Sequence, residues 1–390
     1  MRFPEFSGEW KSKFINDLAS VVGGGTPDTS VKSFWDGNIQ WFTPSEIGKN
    51  KYVDSSLRTI TEEGLNNSSA KLLPPHTILL SSRATVGECS LSLKECATNQ
   101  GFQSLIAQSC DTNFLYYLIQ TKKKDLIRKA CGSTFLEISA NEVRKIQVKI
   151  PYDNEQKKIA DFLSLIDERI FTQNKIIEKY ESLIQAICDT LIESGQHKVE
   201  LSFNDFGEPY SGLSGKSAED FGKGWPYITY MNVYQNQIID ITDVGLVKIN
   251  ETEQQSIVRY GDILFTLSSE TPDEVGMGAV YLGDAYPLYL NSFCFGVHIT
   301  DESKIFPPFL AYYISSKSFR KAVFPLAQGS TRFNLQKNDF MKKIFHFPTV
   351  KKQSEIYSVL KAYSDKLSAE KNIVNLLCEQ KSYLLRQLFI

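Results

Sequence analysis

The chain repeats itself. Shifting its 390 residues by 197 lays CGSTFLEISANEVRKIQVKIP (131–151) over QGSTRFNLQKNDFMKKIFHFP (328–348). Gly132/Gly329, Ser133/Ser330, Thr134/Thr331, Asn141/Asn338, Lys145/Lys342 and Pro151/Pro348 coincide, and Gln156/Gln353, Ile159/Ile356, Leu163/Leu360 and Leu191/Leu388 continue the match. Upstream it is looser: PHTILLSS (75–82) resembles GDILFTLSS (261–269), and TNQGF (98–102) resembles NSFCF (291–295). Self-similarity at a fixed offset marks a chain assembled from copies of one unit, and any fold must accommodate both copies.

Each copy divides into a globular part and a long helix. The expected divisions are 1–150 and 198–347 for the globular parts, with helices over 151–197 and 348–390. The globular parts mix short β-type runs (77–80, 146–150, 263–266, 288–291) with helical stretches (113–130, 308–323), separated by turns rich in Gly, Pro and Asn. That predicts an α/β (α+β) class: two related globular domains separated by two long helices.

The helices are the clearest signal. Ile159, Leu163, Ile166, Ile170, Ile177, Tyr180, Ile184, Ile187 and Leu191 recur in alternating steps of four and three, with Gln173 as the polar interruption. The second copy reads Ile356, Leu360, Tyr363, Leu367, Val374, Leu377, Leu384 and Leu388, with Glu370 in the place of Gln173 and Lys381 in that of Ile184. A sustained 3.5-residue repeat is a coiled-coil seam, since only that spacing keeps one stripe facing a partner. Two copies related by an internal two-fold would run these helices antiparallel and bring Gln173 and Glu370 together, fixing register. Asp153 is placed to cap the first helix, Gln156 to complete a capping box, and Gly195 to end it. A seam against some other surface is the alternative.

Composition narrows the function. Apolar residues are 42% and charged residues 23%, which excludes disorder and a collagen-like chain. No apolar run approaches the roughly 18 residues of a membrane helix, and the amino terminus lacks the apolar core of a signal peptide. The seven cysteines are scattered and never spaced as CxxC, which fits reduced thiols in a cytoplasm. Net charge is −2, yet the charge is segregated. Residues 121–149 carry eight Lys/Arg against Asp125, Glu137 and Glu142, and residues 317–352 carry nine against Asp339 alone. The bland reading is two solvated faces; their recurrence at matched places favours a polyanion partner.

Motifs for catalysis are missing. GLSGKS (212–217) lacks the first glycine of a phosphate loop, since Tyr210 stands there. LPPH (73–76) and FPPF (306–309) lack the first residue of an amino-methyltransferase tetrad and read as turn prolines. Asp153, Glu155 and Lys157 read as a helix start rather than a nuclease site. Two basic heads on a rigid rod suit DNA, which offers about one charge per 1.7 Å. A coiled-coil adaptor whose basic faces bind protein is the competing reading.

The chain resembles the specificity subunit of type I restriction–modification enzymes. The residues that carry this are RFPEF (2–6) with EW (9–10), GGTP (24–27), the W-x-G-x-I-x-W run (35–41), ILLSSRATVGE (78–88), NQGF (99–102) and GST-x-x-EIS (132–139). EQKKIA (155–160), FLSLID (162–167) and GLSGKSAEDFGKG (212–224) continue it. The second copy departs: GSTRFNLQ replaces GST-x-x-EIS, and no RATVG follows its serines. The resemblance implies that each globular part is a target recognition domain reading one part of a split, asymmetric site in double-stranded DNA. It implies an antiparallel coiled coil setting the gap, with Ile159, Leu163, Ile166, Ile170, Gln173, Ile177, Ile356, Leu360, Leu367, Glu370, Val374 and Leu377 at its core. It also implies a non-catalytic, cytoplasmic chain that binds no cofactor itself. Two modification subunits would methylate adenine N6 from S-adenosylmethionine, and restriction subunits would supply ATP- and Mg2+-dependent cleavage. The expected DNA contacts are Arg83, Thr85, Lys122, Lys123, Ser133 and Thr134, with Arg320, Lys321, Ser330, Thr331 and Arg332 in the second copy. The competing role for Ser133/Thr134 and Ser330/Thr331 is to cap a turn.

Overall fold

A computed structural model describes residues 2–132, 136–193 and 198–389. It contains two compact units, one comprising Met1–Ile176 with Glu370–Ile390 and the other Ile177–Ala369. The long helices are therefore shared: Asp153–Glu193 starts in the first unit and ends in the second, and Val350–Leu388 does the reverse.

In the first unit the main sheet has the order Ala19–Gly23, Gln103–Ala107, Ile78–Leu80, Cys89–Ser92, Tyr52–Val53. A second sheet sets Trp35–Phe42 between Arg58–Ile60 and Cys96–Thr98. In the second unit the main sheet runs Gly207–Ser211, Cys294–Ile299, Ile263–Thr266, Gly278–Val280, and the smaller one sets Phe221–Ile228 between Val244–Val247 and Tyr289–Leu290. The smaller sheets correspond in detail. Each central strand carries a bulge, Trp35 and Ile39 both facing Ile60, and Phe221 and Trp225 both facing Val247. Each has one antiparallel and one parallel neighbour. Lys11–Phe14 pairs with Gln147–Ile150, and Lys198–Leu201 pairs with Phe345–Pro348, so each globular part is closed by its first and last strands just before a long helix.

The motifs that carry the resemblance serve this framework. Trp35 and Trp41 meet edge-to-face at 5.2 Å, and the Trp41 indole donates to the Gly25 carbonyl at 2.9 Å. A Cβ on Gly24 would lie 2.0 Å from the Asn99 carbonyl oxygen, and a Cβ on Gly212 would lie 2.0 Å from that of Asn291. Only glycine permits that approach.

The structure corrects several local expectations. The two predicted helical stretches are each broken, into Thr112–Thr121 and Lys123–Lys129, and into Pro307–Tyr313 and Lys317–Val323. The second break is made by Ser316, whose hydroxyl accepts from the Phe319 amide and starts a new helix. The prolines of FPPF lie in the first turn of Pro307–Tyr313 rather than in a turn, where their missing N–H costs nothing. Asp153 is the first helical residue rather than its cap, and Gln156 does not complete a capping box. The Gln156 amide instead donates to the Pro151 carbonyl at 2.9 Å and accepts from the Asp111 amide at 3.1 Å. Gln353 does the same with Pro348 (2.8 Å) and Phe306 (2.8 Å). The conserved spacing thus encodes a buried clamp between helix and globular part. Gly195 lies outside the described residues.

Within the first unit the two helix segments run antiparallel, since Asp167 pairs with Lys381 at 2.7 Å and Gln173 donates to Glu370. Ile159, Leu163 and Ile166 join Leu384 and Leu388 in the core of that unit, and Phe389 packs against Trp10 and Phe114. In the second unit Ile184, Cys188 and Ile192 join Ile356 and Leu360, with Leu367 packed against them. Lys381 occupies a ladder position because it answers the half-buried Asp167, which also accepts from Tyr117 Oη at 2.6 Å.

A neighbouring lysine carries a pH signature. Lys51 is 9% exposed, lines a cleft of about 530 Å3, donates to Ser164 Oγ at 2.7 Å and faces the Tyr52 and Tyr117 rings. Burial pushes its ammonium down from 10.5 to about 8, with Asp167 opposing the fall. A buried charge costs stability while the proton is held. Below pH 8 folded and unfolded chains both hold it, and the cost is fully present. Between about 8 and 10.5 only the unfolded chain keeps the proton, so stability climbs with pH. Lys51→Met should therefore raise the thermal midpoint at pH 7, and that advantage should shrink between pH 8 and 10.5. Melting curves across this range check it; a constant difference would contradict the burial cost.

Candidate nucleic-acid interface

In the first unit the strand Ile78–Leu80 runs into a tight loop. Ser81 Oγ lies 2.9 Å from the Arg83 carbonyl and 3.0 Å from Thr85 Oγ1, and the Gly87 amide returns to the Ser81 carbonyl at 3.0 Å. This holds Arg83 and Thr85 out in solvent, with Ala84 between them at φ 57°. Beside the loop stands a hairpin. Cys131 and Glu137 exchange both backbone hydrogen bonds, at 2.9 and 3.0 Å, and Arg83 Nε pairs with Glu137 Oε2 at 2.9 Å. Ser133 and Thr134 lie outside the described residues.

The second unit builds the same device from different residues. Gln328 and Asn334 pair across a hairpin whose tip holds the exposed Ser330, Thr331 and Arg332. Gly132 and Gly329 both adopt positive φ, 138° and 142°, at matched positions. The backbone links match: the Ile138 amide donates to the Ser82 carbonyl, and the Leu335 amide to that of Leu267. The Ser82 amide donates to Gly101, and the Leu267 amide to Phe293. Ser268 thus stands where Arg83 stands. There Arg332 reaches across from the hairpin, its Nε 3.2 Å from Ser268 Oγ. Each unit places one arginine at the mouth of the hairpin, from opposite sides of it.

Lys123 and Arg320, matched by the offset, are engaged with the fold. Lys123 pairs with Glu88 beside Gly87. Arg320 spends its guanidinium on three carbonyls, those of Gly276, Asp273 and Val275, each at 2.7 Å. Both anchor the loop that follows the paired serines, which makes them supports of the surface rather than free contacts. Lys321 is exposed, and its match is the exposed Lys124. The sequence reading named Lys122, which is half-buried, and passed over Lys124; applying the offset to Lys321 finds it.

The remaining candidates are structural. Lys216 of GLSGKS has a side chain only 4% exposed, donates to the Lys248 carbonyl at 2.7 Å and pairs with Glu253, holding that carboxyl below its usual range. Its charge is not free for phosphate. Among the described residues no group of three or more His, Cys, Asp or Glu is arranged to hold a metal ion, and no helix is long and apolar enough to cross a membrane.

Comparison with known proteins fixes the family. The model of the type I restriction modification DNA specificity domain matches twice, over residues 7–182 and 210–377. The chain belongs to this family. It is 37% identical over 179 residues to the MjaIX specificity subunit of Methanocaldococcus jannaschii, covering 44% of this chain and 41% of that one. To the EcoR124I/EcoR124II specificity subunit of Escherichia coli it is 30% identical over 175 residues, 43% of each. These matches span about two-fifths of the relatives' length. The fold resembles the S subunit of a type I system from M. genitalium, with TM-score 0.54 and 17% identity over 100% of this chain and 99% of that one.

The anchoring of the specificity-domain loop is testable. Arg320→Ala removes three charge-assisted hydrogen bonds and should destabilise the second unit by about 3 kcal/mol. Arg320→Lys should recover little, since an ammonium cannot reproduce the planar fork. Urea unfolding of the two variants measures both effects; a loss below about 0.5 kcal/mol would show that the loop holds itself.

Proposed function

We propose that this specificity-family chain is the DNA-reading subunit of a type I restriction–modification complex, each unit reading one half of a bipartite site and the shared helices setting the unread gap. The observation that carries the reading is the hairpin–arginine device built twice, with exposed lysines, Lys124 and Lys321, at matched positions of the two units. Lys122, Lys124 and Lys321 serve phosphate contact, because a flexible ammonium acts as a point charge. Arg83, held at Nε and carried on paired backbone, and Arg332, held at Nε at the hairpin tip, serve base edges. Thr85, Ser330 and Thr331 flank them, and Ser133 and Thr134 match Ser330 and Thr331 by the offset. Lys123 and Arg320 act indirectly, through the loops they hold.

In this reading the chain performs no chemistry and binds no cofactor. Two modification subunits bind S-adenosylmethionine and methylate adenine N6, restriction subunits use ATP and Mg2+, and all assemble on this chain in the cytoplasm. The near-neutral net charge fits a subunit whose partners share the grip on DNA.

The test uses the chain assembled with its modification subunit. Retention on DNA should fall steeply with salt, and the Lys122/Lys124/Lys321 triple alanine variant should flatten that slope by about three at roughly 0.9 per contact. Replacing residues 1–150 with the matching part of another family member should change one half of the methylated motif and leave the other. Salt-independent retention would favour the protein-binding adaptor; both halves changing together would refute one unit per half-site.

A further inference from the structure

We infer that Phe293 reads a thymine in the second unit's half-site, its ring meeting the C5 methyl group while Arg332 reads a guanine one or two base pairs away. This rests on the DNA-reading function proposed above and adds which chemistry one half-site must present.

Phe293 is 56% exposed although its own backbone is fixed. Its amide donates to Asn291 Oδ1 at 2.9 Å, its carbonyl accepts from the Leu267 amide at 2.9 Å, and Cys294 beyond it is buried in the core. The backbone therefore cannot carry the ring inward. The side chain stands beside the hairpin, its centroid 5.9 Å from the Arg332 guanidinium carbon. Arg332 is held through Nε by Ser268, and among the described residues its two terminal nitrogens make no hydrogen bond. Tyr230 buttresses the same point, donating to the Ser268 carbonyl at 2.7 Å and stacking on Tyr234 at 6.0 Å. A large exposed ring thus stands with a guanidinium over it whose terminal nitrogens are open.

The first unit carries no ring at the matched position. Its matched residue is Gly101, where an added Cβ would come within 2.9 Å of Pro44. The two units share the arginine and differ at this position.

In the major groove the thymine methyl is the apolar feature of the base edges, and guanine O6 and N7 together accept a guanidinium fork. Base pairs are stacked about 3.4 Å apart. A separation of 5.9 Å between the two groups therefore spans adjacent or next-adjacent pairs.

The experiment takes the complex of this chain with its modification subunit and reads its motif from methylated adenines. Duplexes carrying that motif are then made with each thymine in turn replaced by deoxyuridine, which lacks only the methyl group. One replacement should weaken binding by the unaltered complex about four-fold, the worth of one buried methyl. Phe293→Gly should be indifferent to that replacement and should methylate sites with any base pair there. Phe293→Leu should keep the preference, and Arg332→Ala should relax a G·C pair adjacent or next to it. The inference is overturned if no deoxyuridine weakens binding by the unaltered complex, or if Phe293→Gly weakens all duplexes alike, the mark of sequence-blind stacking. If the unaltered complex does not prefer its motif to a scrambled duplex, the DNA-reading function itself fails, whatever residue 293 is.

Discussion

Neither long helix can bury its apolar stripe alone. At 41 and 39 residues each carries a ladder far longer than one globular part can cover. Sharing them solves the problem. Each unit takes the beginning of one helix and the end of the other, so its core is completed by a helix from the other copy of the repeat. Leu384 and Leu388 belong to the core that Ile159 and Leu163 open. Truncating the C-terminal helix would therefore open the first unit, although that unit's own sequence would be intact.

Upon this frame two requirements compete at the heads. The surface must present cations, and the loops that present them must not move. The structure separates the tasks by position. At the offset shared by Lys123 and Arg320 the charge is engaged with a loop; one residue later, at Lys124 and Lys321, it is left in water. A basic stretch read as a single patch is thus two layers, a support and a contact.

How much of this was visible in the sequence depends on the range of the interaction. The helix ladder was legible because its period is local and sustained. The hairpin match over 131–151 was legible because it needs no gap. The equivalence of Arg83 with Ser268, or Gly101 with Phe293, was not, because loops of different length shift the offset upstream while backbone hydrogen bonds preserve the geometry. Gln156 was misread for a related reason. A glutamine three residues after Asp153 looks like a local capping signal, yet its partners include Asp111, which only the tertiary fold brings near. Arg320 looked like a free cation because nothing in its neighbourhood announces three carbonyls some 45 residues earlier.

The two loop anchors carry an evolutionary consequence. Lys123 holds its loop through the side chain of Glu88, so that loop cannot change residue 88 without loosening. Arg320 holds its loop through main-chain oxygens alone, which every amino acid supplies. The side chains of 273–276 are in that respect free to drift while their backbone stays pinned. That latitude falls on the exposed Asp273, where new surface chemistry can appear without disturbing the anchor, since Val275 is buried in the core, Glu274 accepts from Tyr234 and Gly276 sits at positive φ.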